Sequence, residues 1–446
     1  MKYSSSLYRI LKPFIHLCLR IFFRRIEVDG LENVPQNTPI LFTPNHQSAF
    51  MDAIVVACTI SQPVHSVTRA GVFQSPSVAW LLQKLNMMPI YRIRNGIQNL
   101  AKNEATFDHC VELLQHQQTV LIFPEGSQNV VKRVRPLSKG FSRIVFRAEE
   151  SKDFDLGLQI IPVGINYSQV TQFRGDLYLR YGTPLTIKDL KEIYREQPQQ
   201  AMTQLRKQLQ EHLEQEVVHI NNITFYDTFE FISTHFADSF ATNTLEKQDS
   251  ITNENTSLAK LFLLQKNALQ QLTNFAEQRT NEMQILAEKV TSYRQLLQQL
   301  QLKPETFAEN TEPTFAEKVK TTLLAPIGIY GYINHFLPCK ITQYLTYKMF
   351  KDPSFYASMK LGFGLLFILI FYFLQILLIG IFTQSAASAG LYLISLIISG
   401  NIALWIQEPL EKWRLQWKTN AVQKNKPLEW KQLETLRNQI ESLIKQ

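Results

Sequence analysis

Cysteine is scarce and scattered. The four in this chain of 446 residues, Cys18, Cys58, Cys110 and Cys339, lie far apart with no paired spacing. That pattern excludes a disulfide framework and a cysteine-based zinc site, so no metal is expected and the thiols read as small apolar groups of a reducing compartment. Charge is not segregated either. The net charge is +8, yet basic residues are interleaved with acids and no nucleic-acid-binding fingerprint occurs. The charge suits an anionic partner, be it a membrane surface, nucleic acid or a phosphorylated substrate, and does not by itself choose among them. Hydrophobic residues make up 45% and charged residues 19%, which excludes a disordered chain.

A secretory signal is also missing from the first residues. The apolar run of Met1 to Phe23 is cut by Arg9, Lys12 and Arg20, and no small-residue cleavage site follows. Leu7, Ile10, Leu11, Phe14, Cys18, Ile21 and Phe22 recur at helical spacing. They predict an amphipathic helix over residues 1–25, lying either in a membrane interface or against a folded domain.

Two further absences divide the chain. Glycine is missing from Phe225 to Gln301, a stretch rich in Gln, Leu, Asn and Glu that reads as two or more helices with a polar break at 243–257. Charge is missing from Leu361 to Phe382, 22 residues in a row. At about 1.5 Å per residue such a run spans a hydrocarbon core of about 30 Å. Ala389 to Ile406 is a second, shorter candidate. Lys348, Lys351 and Lys360 precede the first span, and Lys412, Arg414, Lys418, Lys424 and Lys426 follow the second, with no charge in the connector. This predicts a transmembrane hairpin with both ends in the cytosol. The apolar, aromatic stretch before it, with its prolines and scattered basic residues, reads as interfacial.

Between the first helix and residue 222, apolar strands alternate with helical runs. The strand candidates are "TPILFTP", "HSVTRAG", "TVLIFPEG", "LQIIPVGIN" and "LYLRYGTPL". Alternation of this kind predicts an α/β architecture, a sheet flanked by helices, with its site at the strand ends. The expected organisation is therefore an amphipathic helix at 1–25, an α/β catalytic domain at 26–222, a helical region at 223–320, an interfacial segment at 321–360, a transmembrane hairpin at 361–406 and a charged C-terminal helix at 407–446.

Four stretches in the α/β part suit one chemistry. Asn45-His46 is followed by Asp52. "MMPIYRIR" places Arg92 and Arg94 after a strand-like run. "FPEGSQNVVKRVRPLSKG" carries Glu125, Gly126 and Ser127 at a strand end, then Arg133, Arg135 and Lys139. "IIPVGI" is an apolar strand with Pro162 inside it. An imidazole is suited to take a proton from a hydroxyl near neutral pH, and a carboxylate on its far nitrogen fixes the tautomer. Guanidinium groups bind phosphate bidentately, and a glycine lets backbone amides come close to a substrate. Together they describe acyl transfer onto a phosphorylated alcohol. Taken singly, each admits a plainer reading: a structural histidine, a helix-capping aspartate, solvated arginines, a common Glu-Gly turn.

These four blocks, in this order over about residues 30–220, closely resemble the glycerolipid acyltransferase family, the glycerol-3-phosphate and lysophosphatidate acyltransferases. The resemblance implies that His46 is the base and Asp52 its partner. It implies that Arg92 with Glu125 and Gly126 binds the acceptor, and that Lys139-Gly140 matches a Lys-Gly element after the third block. Two departures stand out. Five residues separate His46 from Asp52, where the family usually has four, and Gln128 stands where many members have arginine. Six positions along an ideal helix amount to about 600°, which turns the side chains apart. The histidine must then sit in the turn ahead of a helix starting near Ser48, a plausible N-cap, with Asp52 reaching back to its ring. The longer spacing and the membrane-spanning C-terminal half resemble a subset similar to fungal glycerol-3-phosphate/dihydroxyacetone-phosphate acyltransferases.

The implied activity is transfer of a fatty acyl group from acyl-CoA or acyl carrier protein to the sn-1 hydroxyl of glycerol 3-phosphate, by a multi-pass membrane enzyme facing the cytosol. Acylation of lysophosphatidate at sn-2 is the alternative, and a non-catalytic lipid-binding scaffold a third reading. Loss of His46 or Asp52 would mark the scaffold, and both are present. The partners implied are the acyl donor, the acceptor and membrane lipids. No cofactor beyond the acyl donor is implied.

Overall fold

The computed structural model describes residues 5–91, 102–240, 257–307 and 313–445. The chain divides into two compact units. The first comprises Met1–His219 with Asp352–Ser358, and the second comprises Ile220–Lys351 with Met359–Gln446.

Seven strands build the first unit: β1 (Arg25–Asp29), β2 (Ile40–Pro44), β3 (Val64–Arg69), β4 (Met87–Ile90), β5 (Thr119–Leu121), β6 (Gln159–Tyr167) and β7 (Asp176–Tyr181). They form one sheet in the order β1-β7-β6-β2-β5-β3-β4. Every neighbouring pair is parallel except β6 and β7, so the sheet is mixed. β2 is buried at every residue, as expected of a central strand covered on both faces. Five of the strands coincide with the five apolar runs seen in the sequence. β1, "RIEVD", is only half-buried along most of its length and lacks the apolar signal.

Pro162 lies inside β6, a central strand, where a proline removes a ladder donor. The sheet accommodates it at an interruption. Ile160 N donates to Leu185 O, Gly182 N donates to Pro162 O, and regular pairing with β7 begins at Val163–Tyr181. Pro162, two residues on from Ile160, turns its missing N–H to the same side as that interruption.

Helix α1 (Ser6–Phe22) is capped by Ser5, whose hydroxyl accepts from Tyr8 N. One of its faces packs on the folded unit and the other is exposed. Tyr8, Leu19 and Phe22 are buried, while Ile10, Phe14, Leu17 and Ile21 form an exposed apolar stripe. Its Lys12 ammonium donates to the carbonyls of Ile60, Ser61 and Gln62 at 2.7, 3.1 and 3.1 Å. These carbonyls follow helix α2 (Ala49–Thr59), where a cation complements the helix dipole. The unit is completed by α3 (Pro76–Lys84), α4 (Lys102–Gln115), α5 (Gly140–Glu150), α6 (Lys191–Glu196) and α7 (Pro198–Glu216).

The second unit is helical. Beyond α8 (Tyr226–His235), α9 (Leu258–Gln278) and α10 (Thr280–Leu300) follow one another around Arg279. α10 buries Met283, Leu286, Val290, Tyr293, Leu297 and Leu300, one stripe of the expected helical period. Most of the polar break read at 243–257 lies outside the described residues. The stretch read as interfacial, despite its prolines, is helical as far as Met349. Phe315–Met349 is one unbroken helix, α11, of 35 residues with Pro326 and Pro338 inside it. Prolines of this kind persist in long apolar helices where a neighbouring helix supports the interrupted ladder. That neighbour is α13 (Ala386–Asn425). Gly331 permits the approach, because a Cβ there would stand 2.2 Å from Ser399 O, the small-residue contact common between membrane helices. Helices α12 (Tyr356–Thr383) and α13 are long and apolar enough to cross a membrane. Their polar side chains find partners: His335 Nε2 lies 2.6 Å from Tyr372 OH, and Tyr392 OH donates to Asn334 Oδ1 at 3.0 Å. The amphipathic α14 (Pro427–Ile444) ends the chain's regular structure.

One ion pair ties the exit of α1 to the sheet. Arg24 binds Asp176 through Nε and Nη2 at 2.9 and 2.6 Å, and Arg25 adds a contact at 2.7 Å. Burial pushes the Asp176 carboxyl up, but the hydrogen bonds and charges of Arg24 and Arg25 outweigh it and hold the group below its usual range. A depressed carboxylate contributes stability above its unfolded value and loses it as pH falls through the folded one. Asp176→Asn is therefore expected to cost about 1–3 kcal/mol, less than a fully buried pair because Arg24 is about one-third exposed. The difference in melting temperature between wild type and variant should hold from neutral pH down to about pH 5 and close below about pH 4. A gap unchanged at pH 3 would refute the assignment.

Candidate active site

The site lies beyond the C-terminal end of β2, where open α/β sheets place ligands. Asn45 first locks this end to β6. Its amide donates to Ile165 O at 3.1 Å and accepts from Ile165 N at 2.7 Å. The chain then turns through His46 and Gln47 into α2, with Ser48 at the N-cap position. The Ser48 hydroxyl makes no cap bond. Asp52 caps the helix from inside its own first turn, its Oδ2 accepting from Gln47 N and Ser48 N, both at 2.8 Å.

The same oxygen accepts from His46 Nδ1 at 2.8 Å. A carboxylate only accepts, so Nδ1 carries the hydrogen and Nε2 of the neutral ring is the free base. Asp52 is thus both helix cap and histidine partner, and the extra residue between them is taken up in the turn ahead of α2. The imidazole stacks on Phe123, with ring centroids 3.8 Å apart and planes 14° from parallel. Its side chain is 10% exposed while that of Asp52 is fully buried.

The other Asp52 oxygen accepts from Tyr167 OH at 2.7 Å. Burial first, and then the Asp52 charge, push the Tyr167 hydroxyl well above its usual range, so it remains a donor at any physiological pH. Tyr167 ends β6, and sequence reasoning missed it. The one available signal was its place two residues after "IIPVGI", the block already singled out.

Glu125 is buried against the histidine turn. Its Oε1 accepts from His46 N at 2.9 Å, and its Oε2 accepts from Arg135 Nε at 2.7 Å. Its side chain is 2% exposed. Burial raises the carboxyl, opposed by Arg135 and by the His46 N–H. Arg135 also donates to Ser127 Oγ at 2.7 Å and to Ser127 O. Glu125, Ser127 and Arg135, all read as acceptor-binding, hold one another and the histidine turn. The physical reason is burial, since an acid sealed beside the turn needs a cation and N–H donors. Gly126 adopts φ +71° and is exposed, a backbone conformation that favours glycine. Arg133 is half-buried, and Lys139 is exposed at the start of α5. Arg92 and Arg94 lie outside the described residues. No group of three or more His, Cys, Asp or Glu suited to a metal occurs among the described residues.

Part of the chain is similar to known proteins. Residues 25–166 match the family model described as Acyltransferase. The chain is 27% identical over 144 residues to 1-acyl-sn-glycerol-3-phosphate acyltransferase BAT2, chloroplastic, of Brassica napus, covering 32% of this chain and 37% of that protein. It is 29% identical over 147 residues to 1-acyl-sn-glycerol-3-phosphate acyltransferase of Pseudomonas aeruginosa, covering 32% of this chain and 51% of that protein. The matched part therefore spans about a third to a half of these curated relatives. Among solved structures, the 1-acyl-sn-glycerophosphate (LPA) acyltransferase PlsC of Thermotoga maritima aligns with a TM-score of 0.33 at 19% identity, over 46% of this chain and 80% of that one. Residues 25–166 are thus similar to an acyltransferase domain, and the curated relatives this part resembles are acyltransferases of 1-acyl-sn-glycerol 3-phosphate.

Proposed function

We propose that this protein is a membrane-bound O-acyltransferase that moves a fatty acyl group from a thioester donor, acyl-CoA or acyl carrier protein, to the sn-2 hydroxyl of 1-acylglycerol 3-phosphate. The observation that carries the reading is the His46–Asp52 contact at 2.8 Å, with Nδ1 engaged and Nε2 free. His46 Nε2 takes the proton of the acceptor hydroxyl as its oxygen attacks the thioester carbonyl. Asp52 stabilises the resulting imidazolium. The imidazolium then returns the proton to the departing thiolate. The acceptor is its own nucleophile, so no acyl-enzyme is required.

Sequence reasoning alone favoured the sn-1 hydroxyl of glycerol 3-phosphate. The similar proteins are acyltransferases of 1-acyl-sn-glycerol 3-phosphate, which favours the sn-2 position, and that reading is adopted. Arg92, with Arg94, Arg133 and Lys139, supplies the cationic side chains for the phosphate. Helices α12 and α13 anchor the protein as a multi-pass membrane protein. Both flanks of the pair face the cytosol, as their lysines and arginines require.

Four measurements test this reading. Purified protein offered lysophosphatidate, glycerol 3-phosphate and dihydroxyacetone phosphate in parallel should acylate the first fastest; preference for glycerol 3-phosphate would restore the sn-1 assignment. His46→Ala should lower kcat by at least about 100-fold, and equal turnover would remove the mechanism. Tyr167→Phe should lower kcat about 3- to 10-fold, the scale of one ordinary net hydrogen bond of about 1 kcal/mol, with acceptor KM unchanged. An epitope placed after Gln446 should be cleaved by protease in vesicles that expose the cytosolic face and protected in the opposite orientation.

A further inference from the structure

The compact unit that contains the site also contains seven residues from far downstream, Asp352–Ser358. Asp352 Oδ1 accepts from Ser354 N at 3.0 Å and from Ser354 Oγ at 2.7 Å, closing a short 3-10 turn over Pro353–Phe355. Helix α12 starts immediately after it at Tyr356. Ser354, Ala357 and Ser358 are all buried. Two of these residues touch the start of α2. The Ser48 hydroxyl donates to Ser354 O at 3.4 Å. Met51 N donates to Ser358 Oγ at 3.0 Å, across a separation of 307 residues.

The second contact satisfies a specific need. Met51 is the third residue of α2, and its N–H belongs to the group at a helix start that has no intrahelical acceptor. Met51 is fully buried, so solvent is not an alternative partner. Ser48, which would ordinarily help cap such a start, makes no side-chain cap bond. The first turn of α2 is therefore closed by two acceptors, Asp52 Oδ2 from within and Ser358 Oγ from without. Met51 and Asp52 are adjacent, so whatever fixes the Met51 peptide also fixes the backbone from which Asp52 reaches His46.

We propose that Ser358 is a positioning residue for the His46–Asp52 pair, its hydroxyl seating the first turn of α2. The inference rests on the proposed role of His46 as base. Ser358 lies in the first turn of an apolar helix long enough to cross a membrane. The seat of the catalytic carboxylate is thereby linked to the placement of that helix's first residues. Displacing them orphans the Met51 N–H and loosens the turn that carries Asp52.

The test uses the full-length protein in lipid vesicles, with kcat and both KM values measured for Ser358→Ala, Ser358→Cys and Ser358→Thr. Cysteine keeps the volume and is a poor acceptor, while threonine keeps the oxygen. The alanine and cysteine variants should lose about 10-fold in kcat, as expected of a small misplacement of a catalytic pair, with KM for donor and acceptor within about twofold of wild type. Threonine should restore kcat. Wild-type kcat in both the alanine and the cysteine variant would overturn the inference, and so would a loss confined to KM or one that threonine leaves unrepaired. If the alanine variant fails to fold, the volume-matched cysteine variant still gives the decisive comparison. His46→Ala measured in parallel separates the two levels of the argument. Full turnover there removes the base and this inference with it, whereas its loss beside wild-type kcat in the Ser358 variants removes this inference alone.

Discussion

One buried carboxylate organises the site. Asp52 is sealed from solvent and accepts four hydrogen bonds, from His46 Nδ1, Gln47 N, Ser48 N and Tyr167 OH. An ionised acid without partners could not be buried at such a place. Once partnered, it settles three matters together: the start of α2, the path of the turn before it, and the tautomer of the histidine. The capping and catalytic readings of "NHQSAFMD" are therefore not alternatives. The two backbone N–H groups that make Asp52 a cap are the ones that hold it in line with the imidazole.

The third block, "FPEGS", acts mainly as a frame. Its glutamate grips the His46 N–H on one side and Arg135 on the other, and Phe123 supplies the surface on which the imidazole lies. A histidine held by a carboxylate on one edge and stacked on an aromatic face has little freedom left. Pre-arrangement of this kind is how a positioned base becomes effective. Arg135 is read most simply as the counter-charge that allows Glu125 to be buried, because its guanidinium is already engaged by Glu125 and Ser127.

Much of this was legible in the sequence. The apolar runs marked five of the seven strands and the strand-like "MMPI" a sixth. The pairing of His46 with Asp52 was implied by the family resemblance, and given that pairing, helical geometry placed the histidine in the turn and the helix start near Ser48. What was not legible came from groups distant in sequence. Tyr167 meets Asp52 across 115 positions and Ser358 meets Met51 across 307, and neither residue carries a local pattern that announces a partner. Strand β1 was missed because, although Ile26 and Val28 alternate with Arg25, Glu27 and Asp29, it is only five residues long and holds no continuous apolar run. The continuity of α11 was missed because Pro326 and Pro338 signal breaks unless a second helix is known to lie alongside.

The sequence by itself determined the chemistry on offer: a base and a carboxylate at a strand-to-helix turn, basic residues after neighbouring strands, and two apolar helices of membrane-crossing length. These follow from residue type, period and spacing, which are local properties. Only the tertiary structure shows which groups each polar side chain meets. Glu125 could bind a substrate or brace a turn, and Asp52 could cap a helix or orient a ring. Each choice depends on which donors the fold brings within about 3 Å of a buried carboxylate. That is a property of the sheet order, which brings Asn45, His46, Glu125 and Tyr167 to neighbouring strand ends although up to 122 positions separate them in the chain.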